Sequence, residues 1–245
     1  MMEKLDLRYY LFHAIEPVEH PKINRKSYEK LHCFLETGYI YPGNQVKKNI
    51  PKKYQDAVYV SKSPYVFLAL TENNNFPPDI ASRGGEFSAF SEEIEGKLAF
   101  MFDEDILKNN KVVSFTSILS NEVHLSSKVP LSMAKAIYCP KNSFAYFIDS
   151  YREVLEESSS FSSSFFQELT SERKQELREQ ISSILNNPNS YLAKVYESLD
   201  EIREILAKYD FSLPLVSRTG YILDKEKEST YIENHYEEVK ELIKK

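Results

Sequence analysis

The period of the hydrophobic pattern changes at about residue 142, and this constrains the fold more than any single motif in the chain. Up to that point apolar residues come in short strand-like runs: the aromatic-rich stretch Arg8–Ile15, then Ala57–Ser61, Lys97–Phe102, Val112–Phe115, Glu122–Leu125 and Ala136–Cys139. Two short helices are expected among them. Tyr28, Leu31, Phe34 and Leu35 give Ser27–Thr37 a helical face, and Gly38 suits its left-handed stop. Ser63-Pro64 looks like an N-cap followed by a first-turn proline, opening a second helix through Leu70. Residues 72–96, with Asn73-Asn74-Asn75, Pro77-Pro78 and Gly84-Gly85, are expected to form a long loop.

Beyond residue 142 the pattern is helical. Phe144, Phe147, Ile148, Tyr151, Val154 and Leu155 make one stripe, and the serine-rich stretch Ser158–Ser164 reads as a joint. Leu177, Ile181, Ile184 and Leu185 mark a helix that Asn187-Pro188 breaks. Leu192, Val195, Leu199, Ile202 and Leu206 form a narrow seam, and Ile232, Tyr236, Val239 and Ile243 a terminal helix. The expected architecture is α+β, with a mixed domain over residues 1–141 and a helical domain over 142–245.

Composition narrows the function classes. No window approaches the ~18 uninterrupted apolar residues of a membrane span, so no membrane role is expected. Acids in the opening stretch Met1–Arg8 argue against a Sec-type leader, and two distant cysteines without CxxC partners fit a reducing cytoplasmic compartment. Six glycines, with neither GxGxxG nor GxxxxGK[ST], argue against a Rossmann or P-loop enzyme. Residues 1–150 are neutral overall, so the net charge of −6 lies in the rest. Within the neutral part, residues 1–62 hold eleven basic and seven acidic side chains, which suits a phosphate-bearing ligand.

Singly, each chemical candidate has an ordinary structural role open to it. His13 sits in an apolar strand, where a packed histidine is the commoner outcome; Tyr59 is one of 17 tyrosines; Glu122 opens a strand as an edge carboxylate would. His20, His32, His124 and His235 lack HxxxH or HExxH spacing, so no metal is expected. Cys33 and Ser61 have no base beside them in sequence to make a nucleophile.

Their order is more informative. A histidine closes the first strand (Leu11-Phe12-His13-Ala14), then come Phe34-Leu35-Glu36-Thr37-Gly38-Tyr39-Ile40, Val58-Tyr59-Val60-Ser61 and finally Asn121-Glu122-Val123-His124-Leu125. This series resembles the ADP-ribosyltransferase fold of the His-Tyr-Glu, diphtheria-toxin-like type, over about residues 8–140. Its opening is also similar to bacterial toxin transferases that modify nucleic acid. The resemblance implies a split β-sheet core and NAD as substrate. Glu122 would be the catalytic carboxylate, Tyr59 would stack on nicotinamide, and His13 would hydrogen-bond the adenosine-side ribose. Ala14 would present backbone groups to the carboxamide, with Ser61 on the Tyr59 strand face and Arg83 near the pyrophosphate.

The chain departs from that pattern at Ala14, where glycine is usual, and at Leu70, where a second tyrosine is usual; Tyr65 is the candidate substitute. Ser120 stands where arginine-specific relatives carry Gln or Glu, which argues against arginine as acceptor. The resulting expectation is a mono-ADP-ribosyltransferase, a bacterial toxin or effector acting on a protein or nucleic acid, in the cytoplasm or delivered into a host cell. The C-terminal helices would recruit an antitoxin or partner protein. The alternative is a degenerate transferase fold serving as a binding module of a defence or toxin-antitoxin system. A third reading is an unrelated α+β protein in which His, Tyr and Glu coincide by chance.

Overall fold

The computed structural model describes residues 2–15, 18–20, 25–55, 62–69, 97–109, 112–114, 122–158 and 164–244. They form a mixed α and β protein divided into two compact units, neither continuous in sequence. One comprises Asp6–Pro140 with Arg203–Val216; the other comprises Met1–Leu5, Lys141–Ile202 and Ser217–Lys245.

The first unit opens with β1 (Leu11–Ile15) and a small ribbon of β2 (Val18–His20) and β3 (Arg25–Ser27). Helix α1 (Glu29–Thr37) follows and ends on Gly38, whose φ of 70° is left-handed and whose N–H bonds the Phe34 carbonyl at 2.8 Å. Next come β4 (Tyr39–Ile40), the short α2 (Val46–Asn49), β5 (Val66–Ala69), β6 (Leu98–Phe102) and α3 (Asp105–Asn109). The unit continues with β7 (Val112–Ser114), β8 (Glu122–Leu125), β9 (Val129–Pro130) and β10 (Ala134–Tyr138), and β11 (Leu215–Val216) joins from much later in the chain. The main sheet has the order β11-β10-β6-β1-β5-β8-β7, with β10 and β11 parallel and the remaining pairs antiparallel.

Strand β6 explains why this sheet is stable. All five of its residues, Leu98-Ala99-Phe100-Met101-Phe102, are buried, as befits an interior strand covered on both faces. On one face Phe34 of α1 sits edge-on to Phe100 at 6.2 Å and to His13 at 5.6 Å. Elsewhere in the core Phe12 meets Tyr138 edge-on at 5.9 Å. Fully burying each such ring contributes roughly 2 kcal/mol.

The helix expected over Ser63–Leu70 is not formed: Val66–Ala69 is strand β5, with Phe67 opposite His124 and Ala69 opposite Glu122. The capping signal was genuine but local, since the Ser63 hydroxyl accepts the Tyr65 N–H at 3.2 Å and closes a turn. The unbroken apolar run Tyr65–Ala69 has no helical period to oppose strand pairing. The strand expected at Ala57–Ser61 and the loop expected at 72–96 lie outside the described residues.

The second unit is built on α4 (Phe144–Ser158), α5 (Ser164–Asn186), α6 (Pro188–Lys208, of which the part through Ile202 belongs here) and α7 (Lys225–Leu242). Phe144, Ile148, Tyr151 and Val154 of α4 are buried, as are Leu177, Ile181, Ile184 and Leu185 of α5. Asn187-Pro188 both stops α5 and starts α6, with the Asn187 side-chain oxygen accepting the Ser190 N–H at 3.2 Å. The N-terminal residues are pinned here too: Leu5 donates to Gly220 at 2.8 Å and Ile222 donates to Glu3 at 2.9 Å.

At the centre of this unit lies a carboxylate. Glu228 of α7 is 0% exposed. It accepts the Phe144 N–H at the start of α4 in a very short bond, the Tyr191 hydroxyl at 3.0 Å and the Tyr196 hydroxyl at 2.6 Å. Three donors and a helix N-terminus favour the anion, yet burial outweighs them and holds the carboxyl above its ordinary range. Among the described residues no helix is long and apolar enough to cross a membrane.

Candidate functional site

The first unit holds a concave site whose wall includes His13. The histidine lies mid-strand on β1, between β6 and β5. Antiparallel pairing of β1 with β5 is confined to Phe12 and Ala69, and next to it the His13 ring takes the place of a backbone amide: Nδ1 donates to the Phe67 carbonyl at 2.9 Å. A carbonyl only accepts, so Nδ1 carries the hydrogen and Nε2 keeps a lone pair for a ligand hydroxyl. Burial against the neighbouring rings pushes the imidazole down to about 4; Lys30 acts in the same direction and the Phe67 carbonyl opposes both. The ring is therefore neutral at physiological pH.

The cavity beside it is about 210 Å3. That exceeds the ~150 Å3 that a benzene-sized guest fills and falls below the ~300 Å3 typical of sites enclosing a whole drug-sized ligand. One ring with its sugar is the right scale. The walls combine His13 with Phe34, Tyr41, Tyr65 and Phe67, and Lys30 is their cation. Lys30 and Phe34 stand four residues apart on α1, so the helix presents both on one face. Tyr65, the candidate substitute tyrosine, does line the cavity, and its ring stacks on His124 at 5.7 Å.

Strand order and register locate the other candidates. Phe12, Ala69 and Glu122 occupy one row across β1, β5 and β8. Two inter-strand spacings separate the ends of that row, about 10 Å, and His13, the residue after Phe12, alternates onto the other face of the sheet from the row. Only the backbone of Glu122 is described. Ala14 follows His13 on β1 and pairs with Ala99 of β6. Tyr59, Ser61 and Arg83 lie outside the described residues.

Sequence reasoning did not foresee Lys30, Tyr41 or Phe67, whose signals lie in helical spacing and in a strand taken for a helix. It also missed a polar cluster behind α1. There Glu36 accepts from Lys53 at 2.6 Å and from the Tyr54 hydroxyl at 2.8 Å, while His32 Nδ1 lies 3.1 Å from the Tyr209 hydroxyl. Burial and its hydrogen-bond partners push the Tyr54 phenol well up, so it stays protonated and serves as a donor to Glu36. Burial likewise pushes the Cys33 thiol up to about 11, which leaves no thiolate for nucleophilic chemistry. Among the described residues no group of His, Cys, Asp and Glu is arranged to hold a metal.

Comparison with models of protein families, with curated proteins and with solved structures finds no match to this chain.

Proposed function

We propose that the sheet-bearing unit is an NAD-dependent mono-ADP-ribosyltransferase acting on a protein or nucleic acid, in the setting of a bacterial toxin or effector. The observation that supports this reading is the strand order β1-β5-β8, which sets the His13 and Glu122 strands one strand apart, with the His13 strand lining a cavity sized for a ring and sugar.

The chemistry suits that arrangement. Cleavage of the bond between nicotinamide and ribose sends the bonding electrons out with nicotinamide and leaves positive charge on the sugar. Glu122 would stabilise that charge as it forms, lowering the barrier more than it tightens binding. His13, neutral and with Nε2 as acceptor, would accept a hydrogen bond from a hydroxyl of the adenosine-side ribose. An acceptor nucleophile then bonds to the anomeric carbon and releases its proton to water.

Turnover of etheno-NAD by the purified chain tests the reading. Glu122→Ala should reduce it by about 100- to 1,000-fold. Absence of turnover in the unaltered chain refutes the enzyme. If NAD still binds and Tyr59→Ala abolishes that binding, the degenerate binding module is left in its place.

A further inference from the structure

One wall of the His13 cavity, contributed by Tyr41, Gly43 and Val46, belongs to a segment of unusual charge. From Gly38 to Gln55 the chain holds four lysines and no acid, although its net charge is −6. Lys47 and Lys48 are exposed on α2 and Lys52 on the turn after it, while Lys53 is bound by Glu36. Lys128, exposed just before β9, holds its ammonium 3.6 Å from the centre of the Tyr39 ring, and Tyr39 lies 5.9 Å from Tyr41. Phe67, also at the cavity, leaves 37% of its surface open. The basic rim so defined joins the lysines that follow the cavity-lining Val46 in sequence to Lys128, which sits on the ring beside the cavity-lining Tyr41.

We propose that this rim binds single-stranded nucleic acid, with Lys47, Lys48, Lys52 and Lys128 following the phosphates and Tyr41 and Phe67 offering faces for unstacked bases. An acidic peptide would use the lysines but give the rings nothing to stack. A duplex keeps its bases inside and presents no free face to them. The binding surface stands by itself; its role as the acceptor's landing place rests on the transferase reading.

Fluorescence anisotropy tests it, with labelled mixed-sequence single strands about 20 nucleotides long, one of DNA and one of RNA, in ~50 mM salt without NAD. Binding is expected to at least one of them, and which one identifies the source. The triple variant Lys47→Gln, Lys48→Gln, Lys52→Gln should weaken it about tenfold or more and reduce the slope of log affinity against log salt by about 2. A control triple on α7, Lys225→Gln, Lys227→Gln, Lys240→Gln, removes the same charge and should leave binding unchanged. The proposal is overturned by no binding, by equal losses in the two triples, by a duplex binding as tightly, or by polyglutamate displacing the strand as well as unlabelled oligonucleotide does. Oligonucleotide binding without etheno-NAD turnover removes the acceptor role alone. Turnover without oligonucleotide binding removes the surface and leaves the transferase.

Discussion

Replacing Glu228 should separate the value of its oxygens from the cost of its charge. In Glu228→Ala the Phe144 N–H, which has no intrahelical partner at the start of α4, loses its acceptor, and the Tyr196 hydroxyl loses Oε2. Tyr191 keeps a second acceptor in the Asn142 carbonyl at 3.1 Å. The unpaired Phe144 N–H at about 1–3 kcal/mol, with the weakened tie to Tyr196, gives a destabilisation of about 2–4 kcal/mol. Glu228→Gln is different. Its carbonyl oxygen still serves Phe144 and Tyr191, and the Tyr196 hydroxyl can turn to accept from the amide. The carboxyl's raised pKa means that the fold favours its protonated form. The associated stabilisation is complete below the unfolded value of about 4.3 and is lost as pH rises through the folded value. Relative to the unaltered chain, Glu228→Gln should therefore gain stability as pH rises from below the unfolded carboxyl value toward neutrality. Urea unfolding followed by far-ultraviolet circular dichroism from pH ~4 to ~8 measures this. A loss in Glu228→Gln as large as in Glu228→Ala at neutral pH, or a difference from the parent that ignores pH, would refute the reasoning.

Two further predictions concern the sheet unit. His13, depressed to about 4, contributes stability that is present above its unfolded value of ~6.5 and lost as pH falls toward 4; its nitrogen resonances should show a neutral, Nδ1-protonated ring throughout pH ~5.5–8. A titration near 6.5 would contradict the half-buried, carbonyl-bound ring. Gly38→Ala meets no atom within 4 Å of the new Cβ, yet it must adopt the left-handed backbone, so denaturation should report a loss of about 1–2 kcal/mol and no change in fold.

What the sequence disclosed follows from how local each signal is. The Gly38 stop, the Asn187-Pro188 break and the buried stripes of α4 and α6 are written in neighbouring residues and can be read directly. Strand β6 announced itself as an unbroken apolar run because both its faces are covered. Strand β5 misled because a short apolar run carries no period, and its identity depends on a partner, β8, more than fifty residues away. The polar stretch of α5 ahead of Leu177 was illegible for a related reason: residues such as Glu172, Arg173, Lys174 and Gln175 favour helix without marking a face. At the candidate site, His13 and Glu122 were singled out by residue type and order, whereas Lys30, Tyr41 and Phe67 matter only through the cavity they share. No one-dimensional pattern records that enclosure.

The late arrival of β11 has a consequence on the ribosome. Tyr138 and Ile137 of β10 leave the exit tunnel about 75 residues ahead of the Leu215 and Val216 that pair with them. At ~5–20 residues per second the outer hydrogen bonds of β10 have no β11 for several seconds while the helices of the other unit are being made. Nascent chains halted in that interval should be prone to cross-pairing and to chaperone capture, and a gene cut short before codon 215 should yield a product that clumps.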